Sequence, residues 1–170
     1  MNDDFGDVVM QAELFAIEAH KDTRYGKLPY EYHLRAVVDL LPEWMPDEVF
    51  AAAWLHDTVE DTEVTLHDIR KLFGGRIARL VDAVTDEPGP NRKVRKAGMY
   101  KKLSDAPAFA RTVKLADRIA NMQASIENPK LGAMYREEFP EFIRKVGKDE
   151  VNKDLVLKAF WLYLDSKETA

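Results

Sequence analysis

The chain has 170 residues, nearly half of them apolar (46%), and a formal net charge of −5, which together exclude a disordered chain and a general nucleic-acid binder. A small anionic ligand stays open, because a local basic patch can sit on an acidic surface. There is no cysteine, so disulfides, thiolate catalysis and Cys-ligated zinc are excluded.

The acidic start, MNDDFGDVV, lacks the apolar segment of a secretory signal. Val8, Ala12, Phe15, Ala16 and Ala19 then recur at helical spacing. DTRYGKLP follows as a loop broken by Gly26 and Pro29. Tyr30, Leu34, Val37, Val38 and Leu41 mark a second helix stopped by Pro42. Pro46 suits the first position of a third helix, which runs through Val49, Phe50, Ala53 and Trp54 to His56 and Asp57. Thr65 with Asp68 forms a capping box for a short helix ending at Gly74-Gly75. The next helix starts at once through Ile77, Leu80, Val81 and Val84. EPGPN (87–91) is the clearest loop, followed by a basic helix from Arg92 to Leu103. Pro107 opens a helix through Ala110, Val113, Ala116 and Ile119, and Asn128-Pro129 breaks it. Two more helices are expected at 133–146 and 150–165, separated by Gly147. No segment alternates as a strand, and no apolar run approaches the roughly 18 residues that span a bilayer. The expectation is one all-α domain, residues 1–170, of about eight or nine helices, cytoplasmic and without a membrane partner.

Few residues here carry chemistry. His56-Asp57 ends an apolar run, AAAWLHD, and alone would read as a helix end reaching solvent. Glu60 and Asp61 follow, so on a continuing helix His56 faces Glu60 and Asp57 faces Asp61. Such an acidic cluster is costly unless solvated or neutralised by a cation, and the adjacent imidazole points to a transition metal. Asp117, in VKLADRIAN, would alone read as a solvated residue paired with Arg118 or Lys114. His33, among Tyr30, Leu34 and Val37, would alone read as a core histidine. Together the four form a mixed imidazole and carboxylate set suited to Mn2+, Fe2+ or Zn2+ with open water positions.

That set resembles the HD phosphohydrolase superfamily. It is similar above all to the hydrolase domain of RelA/SpoT proteins and to small alarmone hydrolases of the metazoan SpoT type. RYGKLPYEYH, AAAWLHDTVEDT, FGGRIARLVDAVT and VKLADRIANM carry the resemblance, over residues 12 to 125. The resemblance implies an HD-domain helical bundle and a Mn2+-dependent pyrophosphohydrolase. Such an enzyme removes the 3′-diphosphate of ppGpp or pppGpp, giving pyrophosphate and GDP or GTP. It implies His33, His56, Asp57 and Asp117 as metal ligands, and Glu60 with Asp61 as the pair that orients and activates the water. Arg24 would face the nucleobase, and Asn121 the sugar and 3′-phosphate.

The chain departs from the RelA/SpoT pattern at Tyr25 and Gly26, where Lys and Ser are usual, at Lys27 for Gly, and at Leu34 for Pro. Discrimination between guanine and adenine is therefore expected to be modest, with Tyr25 able to stack on a base. In the basic run Arg92, Lys93, Arg95, Lys96, Lys101 and Lys102, the expected phosphate contacts are Lys93 and Lys96. His20 is read as structural, His67 as solvent-facing, and Trp44, Trp54 and Trp161 as core. Tyr135 could approach the site. Competing readings are a hydrolase of another 3′-phosphorylated nucleotide, (p)ppApp or NADPH, a general HD nucleotide phosphohydrolase, and a non-catalytic nucleotide sensor. No synthetase or regulatory region follows, so a stand-alone hydrolase is expected; oligomeric state is left open.

Overall fold

The structure, a computed structural model, describes residues 4–168, so the extreme ends of the expected 1–170 unit lie outside the described residues. Among these residues the helices are α1 (Asp4–Ala19), α2 (Glu31–Val38), α3 (Asp47–Leu55), α4 (Thr58–Asp61), α5 (Leu66–Val84), α6 (Arg92–Asp105), α7 (Ala108–Ala124), α8 (Pro129–Val146) and α9 (Lys153–Glu168). The all-α expectation is met, α4 being a single turn. No helix is long and apolar enough to cross a membrane.

Helix α3 forms the centre. Ala51, Ala52, Ala53, Trp54 and Leu55 are all buried, and α1, α2, α5 and α7 pack around it. A run of three alanines lets neighbouring backbones approach closely, so α3 works as a thin axis rather than an amphipathic surface helix. Helix α7 is the second axis, contacted by α2, α5, α8 and α9. The site residues are carried on α2, on the end of α3 and on α7, which meet one another.

Several boundaries follow side-chain chemistry that the apolar pattern does not carry. Helix α8 begins at Pro129 rather than at 133, because Asn128 caps it by accepting from the Leu131 amide and proline is tolerated at the first position. Helix α3 ends at Leu55, and Asp57, with φ −99° and ψ −4°, starts α4 as a separate turn. The helical run across Gly74 is broken by a left-handed φ of 83°, a conformation that glycine adopts without Cβ strain. The DTRYGKLP loop contains a small antiparallel hairpin, β1 (Arg24–Tyr25) against β2 (Leu28–Pro29), turned at Gly26 with φ 61°. Two-residue strands are too short to leave an alternation in the sequence.

The loop after α5 lies against α6. A Cβ at Gly98 would come within 2.6 Å of Glu87 Cβ and Cγ, and the Glu87 carboxylate reaches Lys102 at 2.7 Å. Trp54 is buried, but Trp44 and Trp161 are 63% and 66% exposed, which corrects the reading of all three as core. A single large apolar residue carries no information on its partner, and scattered exposed apolar side chains are ordinary.

Candidate active site

Four acceptor-bearing side chains from three elements converge in the interior. His33 Nε2 lies 3.3 Å from His56 Nε2. Asp57 Oδ2 is 3.3 Å from His33 Nε2 and 2.9 Å from His56 Nε2. Asp117 Oδ1 stands 3.5 Å from His33 Nε2 and 3.8 Å from His56 Nε2. His33, His56 and Asp117 are buried and each offers a ligand atom within 4.8 Å of the others. His56 Nδ1 donates to the Ala53 carbonyl at 2.7 Å, which leaves the Nε2 lone pair of the neutral ring facing a carboxylate oxygen. Two acceptors do not face each other without a cation or a proton between them, so this donor set fits a divalent metal.

The electrostatics express the same demand for positive charge. Burial pushes the imidazole pKa values down, but hydrogen bonds and charge from Asp117 and Asp57 outweigh it, holding His33 up at about 9 and raising His56. Burial pushes both carboxyls up, yet they stand below the carboxylate range. His56 and His33 pull Asp57 down, and chiefly Lys114, at 2.9 Å, pulls Asp117 down. Lys114 is itself buried, and its ammonium is held charged by Asp117, Glu60 and Asp57 against the cost of burial.

Asp57, Asp117 and Lys114 line a cleft of about 170 Å³, with His33 and His56 buried behind the two carboxylates. Its walls include the acids Glu60 and Asp61 and the cations Arg92, Lys96, Lys114 and Arg118. Burial raises the pKa of both acids, with Asp57 adding to each and Lys114 opposing the rise at Glu60. A carboxyl raised in this way is better matched to taking a proton near neutral pH. Glu60 Oε1 accepts from the Asp86 amide at 2.6 Å, which fixes one oxygen of the carboxylate.

An HD domain family pattern matches residues 12–139. The chain belongs to the HD-domain phosphohydrolases. It is 34% identical over 122 residues to the guanosine-3′,5′-bis(diphosphate) 3′-pyrophosphohydrolase MESH1 of Danio rerio, covering 68% of each chain. It is 36% identical over 120 residues to the protein of that name from Drosophila melanogaster, covering 67% of each. A solved metazoan SpoT orthologue, described as hydrolysing ppGpp, shares the fold with a TM-score of 0.81 at 24% identity, over 93% of this chain and 94% of that one.

Within this HD-domain cleft the other sequence-derived candidates divide. Tyr25 does not stand open as a platform: its hydroxyl donates to Asn121 Oδ1 at 3.0 Å and its ring stacks on His33 at 4.7 Å. Asn121 in turn donates to Asp117 Oδ1 at 2.5 Å, so the hairpin is tied to the metal-facing carboxylate. Arg24 is exposed on the same hairpin. Lys96 lines the cleft, bonded to Asp86 at 2.9 Å, whereas Lys93 is exposed and is not among the lining residues. Arg92 occupies the inward position instead, one turn before Lys96 on the same helix face.

Residues not singled out from sequence complete the walls. Tyr30 donates to Asp57 Oδ2 at 2.6 Å and stacks on His20 at 4.7 Å, which gives that buried histidine a supporting place. Its position three residues before His33 was the available signal. Tyr135, which the sequence reading allowed to approach the site, lines the cleft. His67 is exposed.

Proposed function

We propose that the chain is a Mn2+-dependent (p)ppGpp 3′-pyrophosphohydrolase, releasing pyrophosphate and GDP or GTP. The observation that carries this reading is one cleft lined by Asp57 and Asp117, which the buried His33 and His56 contact from behind, together with two acids of raised pKa and four cationic side chains. The names of the curated relatives support the substrate class.

In this reading His33, His56, Asp57 and Asp117 hold the metal, which when bound supplies charge neutralisation and a lowered pKa for its water. Glu60 and Asp61 orient the attacking water and take its proton. Tyr30 holds Asp57 through its hydroxyl, and Lys114 holds Asp117. Asn121, Lys96, Arg24 and Tyr25 position the nucleotide, while Lys93 remains a solvent-side cation of α6. The bond that breaks joins the ribose 3′ oxygen to its phosphorus; water supplies the oxygen to pyrophosphate and a proton to the 3′ hydroxyl.

A second reading of the base follows from Tyr25. Its hydroxyl is engaged by Asn121, which leaves Arg24 and Lys27 as the exposed polar side chains of the hairpin and favours tolerance of adenine as in (p)ppApp. Turnover of ppGpp, pppGpp, ppApp, NADPH and simple monophosphates with Mn2+, with product identification, tests both readings. Pyrophosphate and GDP from ppGpp is the expected result. Phosphate release from monophosphates alone, or no turnover of any compound, overturns it.

A further inference from the structure

The four cations of the cleft are not equally neutralised. Lys96 has its own carboxylate in Asp86, and Lys114 has its own in Asp117, each at 2.9 Å. Arg92 and Arg118 share one. Arg92 donates from Nε to Glu138 Oε1 at 2.6 Å and from Nη2 to Oε2 at 3.1 Å, and Arg118 Nη2 donates to Oε2 at 3.0 Å. This end of the cleft therefore carries surplus positive charge.

It also carries an unspent donor. Arg118 is buried, its guanidinium lies 4.8 Å from the Tyr135 ring centre and 4.4 Å from that of Phe142, and its Nη1 has no partner among the described residues. A buried guanidinium nitrogen without an acceptor is expensive, and the ring contacts fix the plane of the fork. Burial raises the Glu138 carboxyl pKa, but the hydrogen bonds and charges of Arg92 and Arg118 hold it below the ordinary value. Glu138 stands on α8, Arg92 on α6 and Arg118 on α7, so one carboxylate sets two guanidiniums from different helices against the same cleft.

We propose that Arg92 and Arg118 form a receptor for the second phosphate of a diphosphate, distal to the phosphorus held at the metal-facing group, and that Glu138 is the residue that positions them. Guanidinium forks suit phosphate oxygens, and only a diphosphate has a second phosphate to offer them. The pair thereby reads the length of the phosphate chain. The proposal rests on the reading above only for the natural ligand, since the receptor is defined without turnover.

The test is calorimetric binding of inorganic pyrophosphate and inorganic phosphate to Mn2+-loaded protein, for wild type, Arg92→Gln, Arg118→Lys and Glu138→Asp, with metal content and melting recorded for each. Wild type is expected to prefer pyrophosphate by about tenfold or more, and each variant to bring that ratio close to one at unchanged metal content. Arg92 is partly exposed and its replacement leaves the core intact, and Glu138→Asp keeps the charge while withdrawing the carboxylate. An unchanged ratio in Arg92→Gln and Glu138→Asp, or no preference in wild type, overturns the receptor. Parallel ppGpp turnover separates the two proposals. A collapsed ratio without wild-type turnover sinks only the hydrolase reading, and an unchanged ratio with normal turnover sinks only the receptor.

Discussion

Helices α7 and α9 invert the usual rule in opposite directions. Helix α7 buries charge: Arg111, Lys114, Asp117 and Arg118 are all under 9% exposed. Helix α9 leaves Leu157, Phe160, Trp161 and Leu164 between 40% and 66% exposed. The two departures are unequal in energy. An exposed apolar side chain forgoes a transfer gain, whereas an unpaired buried charge costs several kcal/mol, about 3–5 when one partner of a pair is removed. Buried charge persists only where partners are built around it: Lys114, Asp117 and Arg118 line the cleft, whereas Arg111 is paired with Asp149 outside its lining. Chemistry is located where the costlier rule is broken.

The sharpest way to break this contrast is to remove a carboxylate that compensates the buried set. Asp57→Ala is expected to lose its metal and to bring turnover to background; metal analysis showing equal occupancy in both proteins removes Asp57 from the site. Next in size, Glu60→Gln and Asp61→Asn should retain metal but lose about 10²–10⁴-fold in turnover, a typical general acid–base contribution. Near-normal rates in both would assign proton transfer elsewhere. Lys114→Met should destabilise the metal-free protein by about 3–5 kcal/mol in denaturant titration, because Asp117 is left buried without its ammonium. A loss under about 1 kcal/mol would mean that the histidines alone neutralise Asp117. At the small end, Trp161→Ala on α9 should change stability by no more than about 0.5 kcal/mol. A larger loss would show that the exposed face of α9 is covered in solution, and the contrast would fail there.

The helical class and most element positions were legible because apolar residues recur at helical spacing and because Gly, Pro and capping residues punctuate them. The convergence of His33, His56, Asp57 and Asp117 was legible only through their combined motif spacing, since each alone favoured an ordinary role. The basic wall was less readable. The start of α6 at Arg92 was legible, but which face of the helix turns inward is set by its packing against α5 and α8. Lys114 and Arg118 looked like surface partners of Asp117, because nothing in one helix tells how deeply its neighbours bury it. The hairpin at Arg24–Pro29 left no period at all, and its link through Tyr25 to Asn121 joins residues 96 positions apart.

Gly98 has a bearing on how this surface tolerates change. EPGPN lies in a surface loop, where insertions are ordinarily cheap. Here the slack is absent: Glu87 rests where a Gly98 side chain would stand, and the preceding residue, Asp86, is held to Glu60 through its amide and to Lys96 through its carboxylate. A larger residue at 98 forces Glu87 and α6 apart, next to the Asp86 that bonds Glu60 and Lys96. A position remote from the histidines in sequence, and without a functional group of its own, thus bears on the register between the α4 turn and the basic helix α6.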